Sequence, residues 1–330
     1  MRSRPSSIGR RPVPDGLGAR LETPLVGRLS VIGIGLIGGS ILRAARHKGI
    51  AAETIAYDGS AAVRDRARAV DIADAVVETA AEAARADVVI LCVPVGAMAA
   101  VAAEIGPHLA AGSIVSDVGS VKGAVLSAVQ PHLPEGVALV PAHPVAGTEY
   151  SGPDAGFATL FVNRWCIVTP PEGAEARAVE TIAAIWSAMG SNVEQMTPTH
   201  HDLVLAITSH VPHLIAYNIV GTAADLEEVT QSEVIKFSAG GFRDFTRIAA
   251  SDPTMWRDVF LNNKEAVLEM LGRFNEDLAA LQRMIRWGDG QGLFDLFTRT
   301  RAIRRSIIAV GQETPAPDFG RSRSAADEQS

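Results

Sequence analysis

Short aliphatic runs alternate with alanine-rich stretches over the first part of the chain. Between residue 29 and about residue 140 the runs read LSVIGI, ETIAYD, DVVILCV, SIVSDV and VALVPA. The stretches between them, such as residues 60–70 and 96–110, are rich in alanine, a strong helix former. Continuous apolar runs are typical of strands that are buried on both faces. The pattern therefore predicts an α/β domain with a mainly parallel sheet covered by helices.

The pattern changes after residue 160. Two more predicted strands, WCIVT and NVEQM, lie within residues 163–196, and we expect them to extend the same sheet. Beyond Thr197 the strand pattern stops, and three or four long helical patterns follow. Thr197 before Pro198 and Asp252 before Pro253 each predict the start of a helix, because a capping side chain precedes a proline. The second domain is therefore predicted to be all-helical.

These patterns divide the chain into four segments. Residues 1–28 are predicted to be a disordered N-terminal tail, and residues 29–197 the α/β domain. Residues 198–311 are predicted to be the helical domain, and residues 312–330 have the composition of a disordered C-terminal tail.

Composition and charge narrow the class of protein. The 330 residues are 47% hydrophobic and 20% charged, with a formal net charge of −7. An acidic chain of this kind argues against general binding to nucleic acids or to anionic membranes. Cys92 and Cys166 both lie in short apolar runs, so we predict free, buried thiols and a cytoplasmic location.

One stretch has the length of a membrane span. Residues 203–224 contain no Asp, Glu, Lys or Arg, and about 20 apolar residues can cross a bilayer. The same stretch contains two histidines, a proline, an asparagine and several hydroxyl side chains. We therefore predict a helix buried inside the helical domain, with no membrane as partner.

Glycines cluster at the end of the first predicted strand. Gly33, Gly35 and Gly38 form a G-x-G-x-x-G pattern between a strand and a helix, and Asp58 ends the next strand. This context predicts dinucleotide binding, with the pyrophosphate at the helix N-terminus and the ribose hydroxyls on Asp58. The Asp58 carboxylate favours NAD as the cofactor. Ser60 and Arg64 lie nearby in the sequence, so NADP remains an alternative cofactor. Four neighbours of the glycines or of a later strand end are also assigned to cofactor binding: Leu36, Ile37, Val93 and Pro94.

A histidine follows the last strand of the predicted sheet. His143 stands in PAHPVAGTEYSG, and ligands of open α/β sheets bind outside the carboxyl ends of the strands. Ser120, in SDVGSVKG after an earlier strand, is predicted to fix the tautomer of His143. The alternative is a loop histidine that bonds only to the backbone.

Two further histidines lie on a long predicted helix. His210 and His213 in SHVPH flank Pro212, which lacks an N–H and is expected to kink the helix. A metal site completed by His201 is an alternative, but no carboxylate or cysteine stands at ligand spacing. We therefore predict polar residues that line a pocket, and no metal.

The densest remaining cluster of charges is GGFRDFTRIAASDPTMW. It contains Arg243, Asp244 and Arg247 within about one helical turn. Asp244 and Arg247 fit either a surface ion pair or a local site for an anionic ligand.

Five segments together resemble a known family. VIGIGLIGGS, DVGSVKG, HPVAGTEYSG, SHVPH and GGFRDFTRIAASDPTMWRD, in this order, are similar to segments of the prephenate/arogenate dehydrogenases of tyrosine biosynthesis. The resemblance covers residues 29 to about 285, and its last three motifs are specific to that family.

The resemblance implies a Rossmann domain that binds NAD(P), a helical dimerisation domain and a homodimer. It implies oxidative decarboxylation of prephenate or arogenate, in which His143 takes the C4 hydroxyl proton and Ser120 orients His143. Six residues are assigned by the resemblance to the substrate pocket or its dimer-interface wall: Arg247 on a substrate carboxylate, His213, His201, Thr148, Arg243 and Asp244.

Two other functions remain open on sequence alone. A β-hydroxyacid dehydrogenase would need a catalytic lysine on a glycine-flanked helix, and the segment around Lys264 lacks those glycines. A non-catalytic dinucleotide sensor would not need His143, Ser120 and Arg247. Glu149 and Asp154 are both candidates to favour the ammonium group of arogenate over the keto group of prephenate.

Overall fold

The fold is that of a computed structural model, which describes residues 17–148, 150–230 and 240–309. The chain divides into two compact units, residues 1–267 and 268–330. All of the candidate site described below lies in the first unit. The second unit contains most of one long helix and all of the last helix.

Nine strands are present in the described residues: β1 (Val26–Ile32), β2 (Ala51–Tyr57), β3 (Ala75–Val76), β4 (Val88–Leu91), β5 (Ile114–Asp117), β6 (Ala138–Leu139), β7 (Ala142–Pro144), β8 (Trp165–Val168) and β9 (Asn192–Gln195).

The first six strands form one parallel sheet in the order β3-β2-β1-β4-β5-β6. This is the Rossmann order, with the reversal between β1 and β4 where dinucleotides bind. Alternate residues of β4 point to opposite faces of the sheet. Val88 and Ile90 pack into the hydrophobic core on one face, and Val89 and Leu91 pack into the core on the other face. The predicted α/β class is confirmed, and each of the five predicted strands is present.

Twelve α-helices lie in the described residues: α1 (Leu36–Lys48), α2 (Ala61–Ala69), α3 (Ala80–Ala83), α4 (Met98–Ile105), α5 (Lys122–Val129), α6 (Ala176–Ala188), α7 (Pro198–Leu205), α8 (Val211–Thr230), α9 (Gly240–Thr246), α10 (Pro253–Asn262), α11 (Lys264–Trp287) and α12 (Gly290–Ala309). Four short 3₁₀ turns cover Val95–Ala97, Gly106–His108, Gln130–His132 and Arg247–Ala250.

The last three strands depart from the prediction. We expected WCIVT and NVEQM to extend the large sheet, but β8 and β9 instead form a second sheet with β7. β7 pairs antiparallel to β8, and β8 pairs parallel to β9 across α6. The chain leaves the large sheet after β6, where Pro141 has no N–H to donate to a continuing ladder.

The N-terminal tail also differs from its predicted bounds. β1 begins at Val26, and the segment before it is attached to the domain. Leu17 is buried, and the Lys48 ammonium donates to the carbonyls of Leu17 and Ala19. These bonds order residues that composition alone placed in the tail. Residues 1–16 and the predicted C-terminal tail, 312–330, lie outside the described residues.

Both predicted helix starts are confirmed. The Thr197 hydroxyl accepts the His200 N–H at 3.3 Å, and the Asp252 carboxylate accepts the Met255 N–H at 2.8 Å. Between α7 and α8 the helix widens into a π turn over Ala206–His210. Pro212 has no N–H for the Thr208 carbonyl, and the wider turn stands where this regular bond is missing.

The apolar stretch of residues 203–224 is less buried than predicted. One helix in the described residues, Pro198–Asp225, is long and apolar enough to cross a bilayer, and 28% of its most apolar window is buried within this chain. Leu203, Ile207, Ile219 and Val220 are exposed along it. The prediction of a helix buried inside the domain is therefore only partly confirmed for the single chain.

Both thiols are free, as predicted. Cys166 is buried in β8 as predicted, whereas Cys92, just after β4, is half-buried in the single chain. Burial raises the pKa of each thiol above its usual range, so both remain protonated at neutral pH.

Candidate active site

The three glycines of the first turn each have a different structural reason. Gly33 has φ +99°, and a side chain there would collide with the Cys92 carbonyl. A side chain on Gly38 would strike the Gly33 carbonyl, so this glycine allows α1 to pack closely against β1. A Cβ on Gly35 would meet nothing within 4 Å, which leaves open space at the N-terminus of α1. The turn therefore fits a pyrophosphate at the helix N-terminus.

Asp58 is hydrogen-bonded to the backbone next to this turn. Its carboxylate accepts the Ile34 N–H and the Ser60 N–H, each at 2.9 Å. Arg64 was one reason why the sequence did not exclude NADP. In the structure it forms a two-pronged ion pair with Glu78 at 2.9 and 3.1 Å. The Arg64 charge is therefore already balanced by Glu78. This arrangement fits NAD better than a cofactor with a 2′-phosphate.

Other predicted cofactor residues surround the turn. Leu36 and Ile37 open α1, and Leu36 is buried. Val93 lies beside Gly33, and Pro94 precedes the 3₁₀ turn that follows β4. All four lie at the carboxyl ends of β1 and β4, where the sheet reverses its order.

His143 lies in β7 and is 8% exposed. Its Nδ1 atom is 2.8 Å from Nε2 of His201, so the two imidazoles are joined directly. Burial lowers the pKa of His143 well below its usual value, and the neighbouring His201 and Lys122 lower it further. His143 is therefore neutral at physiological pH, and a neutral imidazole has one ring nitrogen with a lone pair that can accept a proton.

His201 connects His143 to a carboxylate. Its Nδ1 atom is 2.8 Å from Oδ1 of Asp202, and burial lowers the pKa of the His201 ring. Asp202 also accepts the backbone N–H groups of Lys122 and Gly123 at the start of α5. A chain of contacts therefore runs from α5 through α7 to the predicted base.

Ser120 does not make the contact that we predicted for it. We expected its hydroxyl to orient His143, but no hydrogen bond joins the two residues in the described structure, and His201 occupies Nδ1. Ser120 is half-buried two residues before α5. Its role in orienting the base stays a prediction.

A buried ion pair lies under His143. The Lys122 ammonium donates to Oδ2 of Asp117 at 2.7 Å and to the Ala142 carbonyl at 2.6 Å. Both charged side chains are completely buried. Burial lowers the pKa of Lys122 and raises the pKa of Asp117, and their mutual attraction opposes both changes. Since Ala142 immediately precedes His143, this pair fixes the strand that carries the predicted base.

The second pair of histidines flanks the indole of Trp256. His213 stacks on this ring at 3.7 Å between centroids, and its Nδ1–H donates to the Ser209 carbonyl. Burial lowers the pKa of His213, and the nearby Arg247 charge lowers it further. His210 lies edge-on to the same indole. Its Nδ1 accepts the Asn263 side-chain amide at 3.1 Å, and burial lowers its pKa to about 4.

The remaining predicted substrate residues lie near the surface. Arg247 begins a 3₁₀ turn and is exposed, as are Arg243 and Asp244 in α9. Both Asp244 and Arg247 are described, and no ion pair joins them, so the surface-pair alternative is wrong in this structure. Thr148 is half-buried and accepts the Tyr150 N–H.

Asp154 and Glu149 were the two candidates to bind the ammonium group of arogenate, and the structure describes only Asp154. Asp154 is exposed and forms a two-pronged pair with Arg66, which lowers the pKa of the carboxyl. It is therefore already committed to a partner. Glu149 lies outside the described residues.

Sequence reasoning missed three functional candidates: Asp202, Asp117 and Asn263. Asp202 had one available signal, since it adjoins His201 in a predicted helix. Lys122 stands in SDVGSVKG beside Ser120, but its buried pairing with Asp117 was not predicted. In the described part of the chain no group of three His, Cys, Asp or Glu side chains is placed to hold a metal ion.

Comparison with known proteins agrees with this geometry. Residues 41–195 match the nucleotide-binding domain of prephenate dehydrogenase, and residues 197–299 match its dimerization domain. The chain is 43% identical over 280 residues to cyclohexadienyl dehydrogenase of Zymomonas mobilis, which covers 84% of this chain and 95% of that protein. It is 32% identical to prephenate dehydrogenase of Bacillus subtilis, over 87% of this chain and 77% of that one.

A solved structure is similar over almost its whole length. Prephenate dehydrogenase from A. aeolicus, in complex with hydroxyphenyl propionate and NAD⁺, superposes with a TM-score of 0.80 and 30% identity. The match covers 85% of this chain and 98% of that one. With both domain families matched in order along most of its length, this chain belongs to the prephenate dehydrogenase family.

Proposed function

We propose that this chain catalyses the NAD-dependent oxidative decarboxylation of prephenate, arogenate or both. The observation that carries the proposal is His143, a buried neutral imidazole held by His201 in a chain that also has the glycine turn for a dinucleotide. The relatives named above are a cyclohexadienyl dehydrogenase and prephenate dehydrogenases, one of them solved with NAD⁺.

The reaction needs a proton acceptor near the C4 hydroxyl of the substrate. NAD supplies the acceptor for the hydride that leaves C4. His143 takes the hydroxyl proton at Nε2, since its Nδ1 is occupied by His201. Loss of the C1 carboxylate as carbon dioxide leaves its bonding electrons in the ring, which becomes aromatic. His143 then returns the proton to the phenolate oxygen. A base of this kind contributes about 10²- to 10⁴-fold to the rate.

The pocket must also hold a substrate with two carboxylates on an acidic protein. We assign Arg247 to one carboxylate, because its guanidinium is exposed, lies near His213 and has no partner in Asp244. We also place His213 and His201 beside this pocket, and Arg243 adds positive charge beside Arg247.

We also propose that the enzyme is a homodimer in the cytoplasm. The helical part of the chain matches a dimerization domain, and four large apolar side chains there are at least 64% exposed: Leu261, Ile285, Trp287 and Phe294. A second copy would cover such surface. Thr148 and Asp244 are then proposed to meet across the interface. Free thiols fit a reducing compartment.

Steady-state kinetics test the proposal. The wild-type protein should form NADH with prephenate or arogenate, and His143→Asn should lower kcat by at least about a hundredfold with NAD⁺ affinity nearly unchanged. His108→Asn, at an exposed turn histidine, is the matched control and should retain wild-type turnover. No turnover of either substrate by the wild type would refute the function, and normal turnover in His143→Asn would refute the role of the base.

A further inference from the structure

A base that works at Nε2 must carry its own proton on Nδ1. Imidazole has two neutral tautomers, and only the one with Nδ1–H leaves Nε2 free to accept a proton. His143 therefore needs a partner that accepts from Nδ1 and never donates to it. This requirement rests on the proposed function, in which His143 is the base.

Asp202 is the fixed end of the contact chain. Its Oδ1 accepts the Lys122 N–H at 2.8 Å, and its Oδ2 accepts the Gly123 N–H at 2.9 Å. These N–H groups open α5, whose own N-cap residue, Val121, offers no side-chain acceptor. Burial alone would raise the pKa of Asp202, but the hydrogen bonds from His201 and from α5 outweigh burial, and the pKa is lowered. Asp202 is therefore an anion at neutral pH, stabilised by a helix N-terminus.

The anion determines which nitrogen of His201 carries the proton. A carboxylate can only accept, so the 2.8 Å contact between Asp202 and Nδ1 of His201 requires Nδ1–H. Since burial keeps the His201 ring neutral, its Nε2 atom must be an acceptor.

The tautomer of His201 determines that of His143. Nε2 of His201 is 2.8 Å from Nδ1 of His143, and an acceptor at that distance requires a proton on Nδ1. The remaining nitrogen of His143, Nε2, therefore has a free lone pair. If His201 carried its proton on Nε2 instead, it would donate to His143, and the base would be blocked at Nε2.

We propose that Asp202 is a positioning residue that, through His201, fixes His143 in the tautomer able to accept the substrate hydroxyl proton. Asp202 touches neither substrate nor cofactor in this arrangement. It acts by holding two imidazoles in one direction of donation, and by placing a negative charge behind the imidazolium that forms during the reaction.

Histidine nitrogen NMR tests the tautomers without reference to turnover. Long-range ¹H–¹⁵N spectra of protein labelled with ¹⁵N-histidine distinguish Nδ1–H from Nε2–H, and His143→Asn and His201→Asn identify the signals. We expect Nδ1–H on both rings in the wild type at pH 7.5, and a shift toward Nε2–H in Asp202→Asn. Nε2–H on either ring of the wild type would overturn the proposal, as would unchanged tautomers in Asp202→Asn.

Kinetics provide the second measurement. We expect Asp202→Asn to lower kcat by about a hundredfold, with KM and NAD⁺ affinity within about threefold of wild type. Asp202→Glu keeps the charge and should recover part of kcat and the wild-type tautomers. A kcat loss equal in the Glu and Asn variants would overturn the proposal.

The matched control is Asp74→Asn. The Asp74 carboxylate accepts the N–H and hydroxyl of Thr54 at 2.9 and 2.7 Å, and its pKa is also lowered. The Asp74→Asn variant should be less stable than the wild type but should keep the wild-type kcat and the wild-type tautomers of His143 and His201. If Asp202→Asn fails to fold, the wild-type spectrum and Asp202→Glu still decide. A wild type without turnover would refute the proposed function. The NMR spectra would still decide, independently of turnover, whether Asp202 fixes the tautomers of His201 and His143.

Discussion

Replacing Lys122 by methionine should be among the most destabilising single changes in the α/β domain. Methionine has a similar volume, so the change removes the ammonium without opening a large cavity. Asp117 then lies completely buried without its cation, and the Ala142 carbonyl loses its donor. Breaking one side of a buried ion pair costs about 3–5 kcal/mol, a large share of the roughly 5–15 kcal/mol that stabilises a domain.

Thermal and urea unfolding measure this loss. For a unit of this size, about 3–5 kcal/mol corresponds to a decrease of about 6–20 °C in Tm. The double variant Asp117→Asn/Lys122→Met should recover about 2 kcal/mol, because no buried charge remains and the asparagine can still accept the Gly119 N–H. Turnover should also fall in Lys122→Met, since Ala142 precedes the base.

A second buried lysine provides the control for Lys122. Lys48 is 8% exposed, and its ammonium donates only to backbone carbonyls in the described structure. Lys48→Met should therefore cost only about 1–3 kcal/mol. Equal losses in the two variants, or a double variant no more stable than Lys122→Met, would show that the carboxylate is not the source of the cost.

Three further outcomes are expected. Asp58→Ala should weaken NAD⁺ binding and reduce discrimination against NADP⁺ in kcat/KM, and a wild type that already prefers NADP⁺ would contradict this role of Asp58. Arg247→Gln should lower kcat/KM by roughly thirty- to a thousandfold and Arg247→Lys by less, with NAD⁺ affinity unchanged; wild-type kinetics in Arg247→Gln would remove it as the anchor. The folded pKa of His210, about 4, lies below the unfolded value near 6.5, so the unfolded state binds more protons between them. Its contribution to stability is complete above about pH 6.5 and is lost as the pH falls, by about 2 kcal/mol between pH 7 and pH 5; urea unfolding of wild type and His210→Gln at both pH values should show a weaker pH dependence in the variant.

Local features of the site could be predicted from the sequence. The glycine turn and the two helix caps depend on residues within a few positions of one another, so their spacing carries the information. Asp58 follows the glycines at the separation of about 20 residues that is typical of this motif. His143 was predicted from its place after the run VALVPA, which is also a local property, although the structure has His143 within β7 of the second sheet.

Long-range features could not be predicted in this way. Asp202 lies 80 residues beyond Lys122 and His201 lies 58 residues beyond His143, and no periodicity connects such positions. The second sheet was missed because β7 has only three residues and pairs antiparallel, which a pattern of short aliphatic runs does not encode. The exposed apolar face of the long helix was missed because composition does not distinguish a helix buried on all sides from one that leaves an apolar face exposed.

The π turn at Ala206–His210 determines which residues share one side of the long helix. A regular α-helix advances about 100° per residue, so His201 and His213, twelve positions apart, would lie about 120° from each other around the axis. A π turn accommodates one additional residue without the corresponding rotation, which reduces this angle to about 20°. The widened turn thus places His201, which contacts His143, and His213, which stacks on Trp256, on the same side of the helix.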